Sequence, residues 1–206
     1  IKSNDGKIAA VLPFHYPRAL LRAHNIYPVE VWGPPHVTDM GDKSHFPEYT
    51  CQIVQKATRF LLGPEASEID CILMPHTCDS LQGMASVFID HIRPPQPVFT
   101  FYLPRGRRKS DHQFLQEELK HLSAQLSMIS NHTPENQVIH DAMDMEDEAI
   151  SWFTRIAANR DHHPLSDRAF YQFLRSREYL PAEDFSSLAR NFPTGTPELT
   201  GPGLMI

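Results

Sequence analysis

The sequence predicts an α/β fold: a four-stranded, mostly parallel, Rossmann-like sheet flanked by helices and followed by a helical segment. Three observations carry this expectation. Short apolar runs at 8–12, 28–32, 70–75 and 98–103 have the length and density of strands buried on both faces. Stretches with apolar residues three and four apart lie between them, as crossover helices require. Beyond residue 110 only the helical spacing remains. The expected organisation is a parallel α/β lobe over 1–130, a helical segment packed on it or leading from it over 131–200, and the opening of a second lobe at 201–206.

Residues 8–12 read as the first buried strand. The turn at 13–17 feeds a short helix through Ala19, Leu20, Ala23 and His24, with Pro17 at its first position, where no N–H is needed. Residues 28–32 read as the second strand, followed by a Gly/Pro/His-rich loop over 33–45. Pro47 opens the next helix, which buries Ile53, Val54, Ala57, Phe60 and Leu61 and closes at Gly63 and Pro64. Cys51 falls in or near its first turn.

Residues 70–75 form the third strand, and Pro75 ends it. Asp79 is the expected N-cap of a helix on which Leu81, Met84, Ala85, Phe88 and Ile92 share one face, and Pro94 and Pro95 stop that helix. Val98, Phe99, Phe101 and Leu103 read as the fourth strand. Ser110 or Asp111 then caps a helix with Phe114, Leu115, Leu119, Leu122 and Leu126 aligned. A longer helix begins at Thr133-Pro134-Glu135, with Val138, Ala142, Met145, Ala149, Ile150, Phe153 and Ala157 on its face. Another begins at Ser166 and carries Phe170, Phe173 and Leu174, and a short one begins near Pro181.

The 206 residues suffice for one well-buried α/β domain with a helical appendage. A net charge of −6 argues against a general binder of nucleic acid or anionic membrane, and the basic cluster Arg105-Gly106-Arg107-Arg108-Lys109 is local. No run is apolar enough to span a bilayer, and the opening residues do not read as a signal peptide, so a cytoplasmic protein is expected. The three cysteines form no disulfide framework and are expected to be reduced. The chain opens on Ile1, and 201–206 reads as a strand just beginning, so a piece of a longer protein is expected.

Parallel strands joined by right-handed crossovers put their carboxyl ends at one rim, where open α/β sheets carry their chemistry. The loops expected there hold His15, Cys51, His76 and Cys78. Cys78 faces the first turn of a helix, whose free N–H groups favour thiolate over thiol; it reads as a ligand or nucleophile, or as a half-buried structural cysteine. Cys71 does not join it. At about 3.3 Å per residue it lies on the order of 13 Å from the loop, as a small buried hydrophobe. Two thiolates on helix-initiating loops suit an iron–sulfur cluster or zinc, the latter needing His15 and His76 as well. There is no Cys-x-x-Cys, no phosphate-cradling glycine loop and no nucleophile elbow. The basic turn at 105–109 reads as a solvated surface or as a contact for substrate phosphates or an acidic partner.

The segment 17–29 (Pro-Arg-Ala-Leu-Leu-Arg-Ala-His-Asn-Ile-Tyr-Pro-Val), the helix bearing Cys51, the Thr77-Cys78-Asp79 turn and the strand end at 101–105 (Phe-Tyr-Leu-Pro-Arg) occur in a familiar order. In it the chain resembles the D-component family of 2-hydroxyacyl-CoA dehydratases, which includes benzoyl-CoA reductase subunits. The resemblance covers nearly the whole chain and is strongest over 70–126. It implies a two-lobed subunit holding a [4Fe–4S] cluster between lobes, with Cys51 and Cys78 as the two ligands of the first lobe. It also implies one-electron chemistry on an acyl-CoA thioester, a sister subunit and an ATP-dependent activator that donates the electron. His15 and His76 become candidates for proton handling. The family's third cysteine has no counterpart here, and where the family carries an early Pro-Glu pair this chain has His15-Tyr16-Pro17-Arg18. By this reading the chain is the amino-terminal lobe of such a subunit, inactive alone. A non-catalytic scaffold or assembly subunit with the same fold, and a zinc-binding α/β domain, are the competing readings.

Overall fold

The computed structural model describes residues 6–32, 46, 47 and 49–195. The loop expected over 33–45 and the strand start expected at 201–206 lie outside the described residues. The chain divides into two compact units, Ile1–Ile139 and His140–Ile206.

The first unit is built on an all-parallel sheet of β1 (Lys7–Val11), β2 (Ile26–Glu30), β3 (Cys71–Pro75) and β4 (Val98–Phe101), in the order β2-β1-β3-β4. Alternate side chains of the central strands enter two separate cores, as the two-residue strand period dictates. Ala10, Leu12, Ile72 and Met74 pack under Val54, Ala57 and Leu61 of α2 (Gln52–Leu61) and Leu81, Met84 and Ala85 of α3 (Asp79–Ser86). On the opposite face Ala9, Val11, Cys71 and Leu73 meet Leu20 and Leu21 of α1 (Arg18–Ala23) and Leu122 and Leu126 of α4 (Lys109–Ser130). Helices therefore cover both faces, which is why β3 reads as an unbroken apolar run.

Several boundaries differ from expectation, each for a local reason. β2 begins two residues early because its register with β1 runs from Lys7↔Ile26 to Val11↔Glu30; Pro28 is tolerated because this edge strand pairs on one side only. β4 stops at Phe101, opposite the last residue of β3, and leaves Leu103 38% exposed. The helix expected from Pro47 starts at Gln52, since the Pro47 carbonyl accepts the Thr50 N–H in a separate turn. Past Ser86 the third helix widens into a π-helical turn, Val87–Ile92, which keeps Phe88 fully buried. Arg93 ends that turn in the left-handed region, φ 52°, and its N–H donates to the Phe88 carbonyl at 2.8 Å. α4 starts at Lys109, with the Asp111 carboxylate accepting the Arg108 backbone N–H at 2.8 Å.

The second unit gathers α5 (Asn136–Ala158), α6 (Asp167–Ser176) and α7 (Ala182–Arg190) around Ala149, Ile156, Phe170, Ala182, Phe185 and Ala189. Ser166 caps α6 by accepting the Ala169 N–H, and Phe173 stacks on Phe185 at 5.3 Å. The face of α5 is rotated from the expected one. Met145 and Ile150 are exposed, whereas Glu146 is buried because Arg177, at the C-terminal end of α6, pairs with it. A hydrophobic period cannot anticipate a buried charge whose partner lies elsewhere in the chain.

Candidate functional site

In the strand order β2-β1-β3-β4, β1 continues outward to β2 and β3 outward to β4, so the chain reverses direction between β1 and β3. That gap, at the carboxyl ends of the two central strands, is where open α/β sheets leave a crevice. A cavity of about 220 Å³ lies there, walled by Phe14 and His15 after β1, by Thr77 and Cys78 after β3, and by Cys51 and Ile53 at the start of α2.

The two cysteines sit equivalently. Cys51 is the N-cap of α2 and Cys78 the N-cap of α3, both in extended backbone and both exposed. Cys51, expected in or near the first turn, immediately precedes it, and one expectation is corrected: Asp79 is the first helical residue rather than the cap. Neither cysteine side chain accepts from the first-turn N–H groups of its helix. The cavity therefore has two thiols beside two helix N-termini, whose first-turn N–H groups and partial positive charge favour an anionic ligand.

The β1 loop is unusual. Phe14 and His15 are both left-handed, with φ 78° and 55°, a conformation L-residues adopt at a cost of about 1–2 kcal/mol each. The strain persists because the surroundings fix it. The Phe14 ring meets Trp32 edge-on at 4.8 Å. Trp32 Nε1 donates to Glu30, which also accepts from the Tyr16 hydroxyl and from Arg18 at 3.0 Å. Glu30 thus ties the end of β2 to the loop after β1. None of these pairings has a sequence signature, since the partners meet only once β1 and β2 are in register.

His15 is exposed and lines the cavity. His76 is half-buried, with its ring 4.8 Å from Tyr102 and its backbone N–H donating to Phe101 at 2.8 Å; it is not among the cavity walls. Its Nε2 and the Thr77 hydroxyl are buried without a hydrogen-bond partner among the described residues. Cys71 is fully buried on the α1/α4 face, where burial first and the Asp70 carboxylate second push its thiol up to about 12. It is inert, as its place in the strand requires. Among the described residues no three His, Cys, Asp or Glu side chains group to hold a metal ion. The four-ligand zinc arrangement of Cys51, Cys78, His15 and His76 is therefore not assembled, because His76 is taken up against Tyr102. Cys51 and Cys78 both line the cavity, and thiolates are the donors that iron–sulfur clusters take.

The family model for the 2-hydroxyglutaryl-CoA dehydratase D-component matches residues 13–198. Three curated proteins are similar. The (R)-2-hydroxyglutaryl-CoA dehydratase subunit beta of Acidaminococcus fermentans is 24% identical over 164 residues, 79% of this chain and 43% of that protein. The lactoyl-CoA dehydratase subunit beta of Anaerotignum propionicum is 23% identical over 198 residues, 92% of this chain and 50% of that protein. The (R)-phenyllactyl-CoA dehydratase beta subunit of Clostridium sporogenes is 26% identical over 147 residues, 69% of this chain and 38% of that protein. The chain spans half the length of these relatives or less. No helix among the described residues is long and apolar enough to cross a membrane.

Proposed function

We propose, for a chain that belongs to the 2-hydroxyglutaryl-CoA dehydratase D-component family, that Cys51 and Cys78 supply two thiolates to a [4Fe–4S] cluster in a subunit acting on an acyl-CoA thioester. The observation behind this is that two cysteines far apart in sequence cap adjacent helices and wall one cavity at the sheet's switch point. When bound, such a cluster supplies one-electron reduction, which permits loss of water from a 2-hydroxyacyl group or reduction of an aromatic ring.

This chain's own residues bind, orient and shield. The thiolates are the ligands, and the first-turn amides of α2 and α3 hold the anionic group. Phe14, Ile53 and Leu81 supply the apolar walls that limit water. His15 stands at the cavity wall to hold or deliver a proton, and His76 is a positioning residue through its contact with Tyr102. The remaining ligands come from outside the described residues, because no third donor joins the pair here. The relatives' names as beta subunits support a sister subunit as partner. The reduction needs an ATP-dependent activator as electron donor, in a reducing cytoplasm.

Anaerobic reconstitution with iron and sulfide, read by iron content and visible absorption, tests the assignment. The chain is expected to take up labile, substoichiometric iron, and Cys51→Ser or Cys78→Ser is expected to abolish that uptake. Uptake unchanged in both variants removes the ligand assignment and leaves a scaffold subunit of the same fold. A stable cluster of four irons on this chain alone overturns the external ligands.

A further inference from the structure

The helical unit has a cavity of its own, about 660 Å³, within the roughly 300–1,000 Å³ typical of small-molecule sites. Its walls include Trp152, Arg155, Asp161, His162, His163 and Arg190. All belong to the second unit, whereas the cysteine cavity is lined by residues of the first.

We propose that this cavity binds a flat aromatic anion, an aromatic ring bearing a phosphate or carboxylate group. Two arginines line it. Arg155 lies over the Trp152 ring at 5.4 Å and makes no ion pair among the described residues. Arg190 spends Nη2 on Glu148 at 2.5 Å, leaving other N–H donors of its fork. Such forks match the oxygen pairs of carboxylate and phosphate. The indole is held in place, since its Nε1 donates to the same Glu148 at 3.3 Å. It offers a fixed aromatic surface beside a cation, the pairing that selects an anion joined to a ring.

His163 closes one side of the cavity. It is 5% exposed, and its Nδ1 lies 2.7 Å from the Pro193 carbonyl, so Nδ1 carries the hydrogen. Nε2 is buried with no partner among the described residues. The ring packs against Phe192, 4.9 Å away and itself a wall of the cavity, so that side is rigid. Asp161 on the same wall opposes a highly charged anion, which selects one or two negative charges.

The test uses the full chain carrying Trp32→Phe, which leaves Trp152 as the sole tryptophan. Adenosine monophosphate is the probe, with adenosine and inorganic phosphate as its separate halves, and Trp152 fluorescence is the readout. A saturable change with the nucleotide is expected, at least tenfold tighter than with either half. Arg155→Gln is expected to weaken it at least tenfold with unchanged circular dichroism, and Arg155→Lys less. Arg190→Gln is expected to weaken it as well. No saturable change, equal binding of inorganic phosphate alone, or an affinity indifferent to both arginine variants overturns the proposal.

Discussion

His24 ends the first helix with no exposed surface, its Nδ1 3.1 Å from the His132 carbonyl and its Nε2 2.9 Å from the Ser123 hydroxyl. A neutral imidazole satisfies both contacts, donating from Nδ1 and accepting at Nε2. Burial holds its pKa below the usual 6.5; the His132 carbonyl partly offsets this, while the charge on His132 adds to it. The unfolded chain therefore takes up the proton first, so His24 favours the folded state above about pH 6.5 and loses that contribution as pH falls below it. Urea midpoints are expected to drop between pH 7 and pH 5.5, and His24→Gln is expected to flatten that slope whatever it does to stability at pH 7. An unchanged slope would place the acid sensitivity elsewhere. Nothing in the sequence marks this histidine, because Ser123 and His132 lie about a hundred residues away. Cys51 and Cys78 were legible for the opposite reason: their thiols are chemically distinctive, and the parallel topology fixes which rim their loops reach. The left-handed backbone of Phe14 and His15 left no trace, since turns of that shape normally announce themselves with Gly or Asn.

Helices and strands were readable in kind and less so in extent. Strand ends follow the partner: β4 stops where β3 stops, and β2 starts where β1 offers pairing, neither of which a propensity encodes. Helix ends follow capping, and a cysteine at the N-cap lies outside the usual set of capping residues, which is why Asp79 looked better placed than Cys78. The end of the third helix gives a direct test. Arg93 occupies the left-handed position that closes the π-helical turn, where glycine is the usual residue. Arg93→Gly removes a steric penalty of about 1–2 kcal/mol and adds roughly 0.5–1 kcal/mol of unfolded-state entropy, so a net gain of about 0.5–1 kcal/mol is expected. The exposed bond from Arg93 Nε to the Asp90 carbonyl, 3.1 Å, is too solvated to reverse that sign. Thermal midpoints should rise by roughly 1–4 °C for Arg93→Gly. Arg93→Ala, which keeps the Cβ, should bring no rise, and a gain in both would refute the steric account.

At the scale of the molecule, the α/β class and the shared rim followed from the alternation of apolar runs with helical spacing. The crevice between β1 and β3 followed only from strand order, which one sequence does not state. The helical unit was legible as helices but not as an interior, because its core includes rings from three helices and its α5 face turns to bury Glu146 against Arg177. That interior shares no buried residue with the two cores that sandwich the sheet. Phe185 sits at its centre with no exposed surface, and truncating it to alanine should cost about 3–5 kcal/mol. If the unit is held by its own core, that cost is local. Hydrogen exchange in Phe185→Ala should accelerate through α6, α7 and the stretch of α5 around Ala149 and Ile156, while the β3 amides keep their protection. Iron uptake at Cys51 and Cys78 should likewise be unchanged in that variant. Equal loss of protection in β3 would mean that the sheet and the helices open together, and the second cavity could then no longer be treated as belonging to a separate interior.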